Sequence, residues 1–177
     1  MRTRIRTAVV IGALLAQAPF ASVCSQTDLD STVVGWATAV PGVVEDGAEI
    51  VRLITGYNGL DDPIGLADGS LVFSEPDALR IHRIDPATNR VAVLVAESNE
   101  SHGITQHADG HLISAQAWDG STQIGVIYPP SAVRTLADSY RGQPFSRPND
   151  VIVARNGGVY FTDPGLTREQ AEELAAR

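Results

Sequence analysis

Along residues 49–166 apolar and polar positions alternate in short runs, and Gly, Pro, Asn or Asp interrupts each run within a few residues. Alternation with a period of two marks half-buried β-strands rather than helices. Three stretches superimpose without a gap: DDPIGLADGSLVFSE (61–75), HGITQHADGHLISAQ (102–116) and NDVIVARNGGVYFTD (149–163). Each starts on a polar residue, runs through a mostly apolar strand, turns at Asp-Gly or Asn-Gly, and returns through a second strand. The turn residues Asp68, Asp109 and Asn156 are spaced 41 and 47 apart. Asx-Gly between two strands is a strong hairpin signal, because Gly and Asn tolerate positive φ.

Further strand pairs fill the intervals. ALRIHRID (78–85) and RVAVLVAE (90–97) flank the turn PATN; QIGVIY (123–128) and AVRTLAD (132–138) flank Pro129, Pro130 and Ser131. EIVRLITGYNG (49–59) reads as a strand of the unit before the first repeat. Four short strands recurring at about 40–45 residues make a β-propeller blade. The expected fold is therefore all-β, an incomplete β-propeller of about three blades over 49–166. A β-sandwich with three similar hairpins is the competing fold. The tail TREQAEELAAR (167–177) breaks the pattern: Thr167 and Gln170 have capping-box spacing, and strong helix formers follow. It reads as a short C-terminal helix.

The first 25 residues have a different character. Arg2, Arg4 and Arg6 precede the apolar run AVVIGALLAQA (8–18), and small residues follow in FASVCSQ (20–26). This is the plan of a secretory signal peptide cleaved after Ser25, which would place the protein in the periplasm or outside the cell. A retained membrane anchor, or a lipid on Cys24, are the alternatives. Residues 26–48 are left as an N-terminal leader. Cys24 is the one cysteine, so stability is expected to come from core packing or a metal rather than a disulfide. The formal charge of −8 disfavours nucleic acid or an anionic membrane surface as partner, and suits a divalent cation or a neutral substrate.

The repeat itself points to candidate chemistry. Residues entering the innermost strands of a propeller converge at one mouth of its central channel. Asp61, His102 and Asn149 hold the same repeat position, and Asp62, Gly103 and Asp150 come next. Carboxylate, carboxamide and imidazole around one opening suit a divalent cation; oxygen donors alone favour calcium or magnesium, and an imidazole ligand would tilt the site toward zinc. Arg147, two residues before Asn149, would pair with Asp150 or with a substrate oxygen. Each of these residues also has a purely structural reading: Asx-turns beside Pro63 and Pro148, a polar strand start at His102, a surface charge at Arg147. The motifs of serine hydrolases, zinc proteases and phosphate loops are absent from the sequence.

RPNDVIVARNGGVYFTDPG (147–165) resembles the Ser-Pro-Asn-Asp-Val…Asp-Gly…Tyr-Phe-Thr-Asp-Pro block of the gluconolactonase/senescence-marker-protein/regucalcin family. DPIGLADGSLVFSE resembles that family's Glu-Gly-Pro…Asp-Gly…Phe-Ser-Asp block, and HGITQHADGHLI its Asn-Gly-Leu-Thr…Gly-Arg-Leu block. The resemblance covers roughly 49–165. It implies a six-bladed propeller, a divalent cation in the channel (calcium first, zinc or magnesium next) and hydrolysis of a small-molecule sugar lactone or related cyclic ester. It carries metal-ligand roles to Asp61 and Asn149, substrate contact to Arg147 and a catalytic role to Asp150; the repeat position itself makes His102 a channel-lining, substrate-binding candidate. Asp61 stands where the family has Glu, and His102 where it has Asn. The later blades, with their further ligands, are not in the sequence. Open sheet edges then invite self-association. A non-catalytic partial propeller that binds a ligand or a protein is the alternative function.

Overall fold

A computed structural model describes residues 27–28, 31–118, 120–166 and 168–176. The apolar leader, Cys24 and Thr167 lie outside the described residues. The elements in chain order are β1 (Thr27–Asp28), β2 (Thr32–Trp36), β3 (Glu49–Arg52), β4 (Asp61–Gly65), β5 (Leu71–Glu75), β6 (Arg80–Asp85), β7 (Arg90–Val95) and β8 (Ser101–Gln106). Then come β9 (Leu112–Gln116), β10 (Gln123–Tyr128), β11 (Arg134–Ala137), β12 (Ser139–Tyr140), β13 (Gln143–Pro144), β14 (Val151–Val153), β15 (Val159–Phe161) and the helix α1 (Arg168–Ala175).

The fold is all-β and propeller-type. One antiparallel sheet runs β4-β5-β6-β7 with β1 added beyond β7, and the next runs β8-β9-β10-β11. The third repeat contributes the two-stranded sheet β14-β15. Two short sheets, β2-β3 and β12-β13, complete the set. The segment 49–59 is strand only at Glu49–Arg52, where it pairs with β2. The rest of it lies over the first sheet: Ile54 and Tyr57 cover Phe73, Ile84 and Val91. Strands β1 and β2 fall within the leader expected at 26–48.

The three hairpins repeat in atomic detail. In each, a type I turn ends on a glycine in the left-handed region: Gly69 (φ 83°), Gly110 (φ 88°) and Gly157 (φ 82°). The Asx residue before it is not left-handed. Its side chain instead accepts the N–H two residues on, at 3.0 Å from Ser70, His111 and Gly158 respectively. The loops therefore hold three residues with a bulge at glycine, not two.

The core lies between neighbouring sheets. Every residue of β9 is buried. Leu112 faces the first sheet, clustering with Val72, Ile81, Ile104 and Ile127. Ile113 and Ala115 face the third, with Ile124, Val126 and Val151. The outer face of the third sheet has no such cover: Ile152 and Tyr160 are more than half exposed. Trp36, Trp118 and Tyr160, whose bulk suggests packing, are all exposed at the surface.

Two of the turn carboxylates make an acid-sensitive contribution. Hydrogen bonds from the Ser70 hydroxyl and backbone hold Asp68 below the usual carboxylate range. The His111 backbone and the His107 side chain do the same for Asp109. A depressed folded-state pKa gives stability that is present above the ordinary value of about 3.9 and lost as pH falls through the folded value. The double variant Asp68→Asn/Asp109→Asn should therefore flatten the acid limb of Tm against pH below about pH 4. An unchanged limb would show that these bonds do not distinguish folded from unfolded chain.

Candidate functional site

The site forms where β4, β8 and β14 start side by side. Each of β4 and β8 carries a one-residue bulge near its start, between Asp61 and Ile64 and between Ser101 and Ile104. Bulges re-aim side chains and free backbone groups from the ladder. Two amides at the second bulge tie one sheet to the next. The Ile104 N–H donates to Asp62 Oδ2, and the Gly103 N–H donates to the Asn149 carbonyl at 2.7 Å. A Cβ on Gly103 would lie 2.7 Å from Asp150 Cα and 2.8 Å from Asn149 O and Val151 N. Only glycine allows this approach.

A second rule recurs in all three repeats. The last residue of each aligned repeat reaches back to the loop that leads into its first strand. Glu75 accepts the Asn58 N–H at 3.0 Å. Gln116 accepts the Asn99 Nδ2 at 3.0 Å. Asp163 accepts the N–H of Ser146 and of Arg147, each at 2.9 Å. Asn58, Asn99 and Ser146 each stand three residues before the ring positions Asp61, His102 and Asn149, so the same device sets the entry of every inner strand.

Three of the candidate side chains meet in a line. His102 Nδ1 lies 3.3 Å from Asp61 Oδ2, and His102 Nε2 lies 3.2 Å from Arg147 Nη2. An arginine only donates, so Nε2 accepts and the ring proton sits on Nδ1, donated to Asp61. Arg147 Nη2 also lies 2.8 Å from Glu100 Oε1, whose side chain is 3% exposed. The line thus runs Glu100, Arg147, His102, Asp61, from buried to half-exposed. The Ser74 hydroxyl fixes its outer end, 2.7 Å from the His102 carbonyl and 3.1 Å from that of Asp61.

Asn149 and Asp150 stand beside this line rather than in it. Both are exposed. Asp150 Oδ1 accepts the Val151 N–H at 2.7 Å. The Asn149 carboxamide makes no hydrogen bond among the described residues. Burial pushes the Asp62 carboxyl above its usual range; the Ile104 N–H opposes this, and the charges of Asp150 and Asp61 add to it.

As a cation site, Asp61 and Asn149 offer hard oxygen donors, which fit calcium or magnesium and would fill two of the roughly six to eight positions calcium takes. Among the described residues no three His, Cys, Asp or Glu side chains converge to hold a metal ion by themselves. A cleft of about 690 Å³ lies off the ring and is lined by residues such as Thr122, Gln123, Asp138 and Ser146. Its polar groups are engaged internally: Thr122 donates to the Phe145 carbonyl at 2.8 Å, and Gln123 to Gln116 at 2.6 Å.

Glu100 was not evident from the repeat as aligned. Extending each repeat by two residues at its start would have found it, because Glu100 and Arg147 then fall on equivalent positions with opposite charge.

Comparison with known proteins bears on the family and the fold. The SMP-30/Gluconolactonase/LRE-like region is matched over residues 64–176. A curated gluconolactonase of Zymomonas mobilis is 28% identical over an alignment 131 positions long that covers 64% of this chain and 36% of that protein. The chain thus spans little more than a third of that relative. A gluconolactonase structure from Xanthomonas campestris superimposes with a TM-score of 0.62 at 25% identity, covering 70% of this chain and 42% of the other. A virginiamycin B lyase structure from Staphylococcus aureus gives a TM-score of 0.51 at 19% identity over 71% of this chain and 44% of its own, a likeness of fold alone.

Gly103→Ala should cost about 1–3 kcal/mol, the usual penalty of overpacking, because backbone and not a yielding side chain meets the new methyl. Denaturant unfolding measures it; a loss under about 0.5 kcal/mol, the range of neutral surface changes, would show that β8 and β14 are not held this close.

Proposed function

The chain belongs to the SMP-30/Gluconolactonase/LRE-like family, and on that premise we propose that its site serves the hydrolysis of a sugar lactone or related cyclic ester. The observation that carries this reading is the convergence of Asp61, His102 and Arg147 in one hydrogen-bonded line beside Asn149 and Asp150. The family's motifs assign roles to four of these residues, and His102 stands where the family has Asn.

Asp61 and Asn149 would hold a divalent cation, calcium first by their oxygen chemistry. Such a cation, when bound, supplies Lewis-acid polarisation of a carbonyl and a more acidic water. The remaining work falls to the chain's own groups. Asp150 has one carboxylate oxygen occupied by the Val151 N–H; its other oxygen takes the proton of the attacking water as general base. Arg147 brings positive charge to the mouth and orients the lactone oxygens, a task suited to a planar, permanently charged donor. His102, with its proton directed to Asp61, lines the opening and contacts the sugar hydroxyls. The apolar leader supports export, so the reaction would take place outside the cytoplasm.

The test is turnover of D-glucono-1,5-lactone by the full chain. Hydrolysis should be abolished by EDTA and restored by calcium. Asp150→Asn should lower kcat by about 100-fold or more, the range of general-base catalysis, and Arg147→Ala should act mainly on KM. Turnover indifferent to chelation, or no turnover with metal supplied, would overturn the reading.

A further inference from the structure

Glu100 belongs to no motif of the sequence, yet it has the most costly placement near the site. It is 2% exposed. Its backbone lies in the left-handed region at φ 53°, directly after Asn99 at φ 54°. Two consecutive non-glycine residues in that region store strain, and such strain persists only where the surroundings impose it, most often at functional sites. The surroundings here are specific. The Asn99 side chain bonds Gln116 at 3.0 Å and the Ser121 carbonyl at 2.9 Å, and receives the Ser121 hydroxyl at 3.0 Å. This clamp turns Glu100 inward.

A buried carboxylate is tolerated only when paired. Its partner is Arg147, at 2.8 Å. Arg147 is itself mostly buried, and its Nη1 has no hydrogen-bond partner, so its own network does not over-determine its position. Glu100 does. The same Nη2 that faces Glu100 lies 3.2 Å from His102 Nε2. The direct approach of Glu100 to that nitrogen is longer, 3.7 Å.

We infer that Glu100 is a positioning residue: it anchors the Arg147 guanidinium, and through it fixes the tautomer and orientation of His102 toward Asp61. This deepens the lactonase reading, but its test does not depend on turnover. The ring nitrogens of the four histidines report tautomer directly by long-range proton–nitrogen NMR on the labelled full chain. At one fixed pH, Glu100→Gln should shift the His102 ring signals and leave those of His82, His107 and His111 in place. Arg147→Gln should produce the same shift, and the double variant should add nothing further. A purely structural Glu100 predicts otherwise: His102 unmoved by Glu100→Gln, or shifts that add in the double variant. Either result overturns the inference. Should Glu100→Gln not fold, Arg147→Lys decides the same point. Lysine keeps the charge opposite Glu100 but lacks the fork, so His102 should shift while Tm stays near that of the parent chain; an unshifted His102 again overturns the inference. In the lactone assay, Glu100→Gln should raise KM severalfold with kcat within about twofold. If no turnover exists in the parent chain, the lactonase reading fails alone and the NMR result still stands.

Discussion

Two backbone amides, those of Gly103 and Ile104, hold the inner strands of the three repeats together. Gly103 lies inside the bulge of β8 and Ile104 at its end, where the register with Ser114 resumes, and each amide is used on a different neighbour. One reaches back to the Asp62 carboxylate of the first repeat, the other forward to the Asn149 carbonyl of the third. A buried N–H without a partner is costly, so the bulge is stable only while both neighbours are in place. The relative position of Asp61, His102 and Asn149 follows from these two bonds. The apolar clusters on the two faces of β9 add strength, but hydrophobic packing is not directional. The hydrogen bonds set the register.

The charged groups at the mouth are arranged by burial. Glu100 is buried, Arg147 and His102 are mostly buried between it and Asp61, and Asn149 and Asp150 face water. Glu100, at the buried end, holds geometry, and the groups nearer the mouth are those that would meet a substrate. A second buried pair, His82 with Glu75 at 2.8 Å, plays a comparable part on the far side of the first sheet, where Phe73 stacks on the imidazole and Tyr57 meets it edge-on. There Glu75 also receives the Asn58 N–H, so the pair ties the loop before β4 to the sheet. Buried ionic pairs are poor sources of net stability and better read as devices that fix one arrangement.

The repeat was legible because it is written in residue types with a local mechanism. Asp68-Gly69, Asp109-Gly110 and Asn156-Gly157 each demand the same turn, and the strands on either side alternate as a half-buried sheet must. Asp61, His102 and Asn149 could be placed together on the same ground. What the pattern could not show was long-range. Glu100 opposite Arg147 requires two loops to meet across 47 positions, and Glu100 sits in a polar run, ESNES, that reads as an ordinary loop. The strand expected throughout 49–59 stops at Arg52 because Ile54 and Tyr57 find apolar cover on the first sheet instead of a strand partner. The bulk of Trp36, Trp118 and Tyr160 suggests packing, yet all three are exposed, because side-chain size does not say whether a facing layer exists.

Amide hydrogen exchange at Gly103 and Ile104 tests the central claim most directly. Amides bonded across a cooperative unit exchange only when that unit opens, whereas loop amides exchange freely. If the two bonds between repeats set the site, both amides should be protected to the same degree as those of Ile113 and Ala115 in β9. Exchange as fast as that of Ala108 in the exposed turn, while β9 stays protected, would show that the inner strands are not tied together and that the ring at the mouth is not a fixed arrangement.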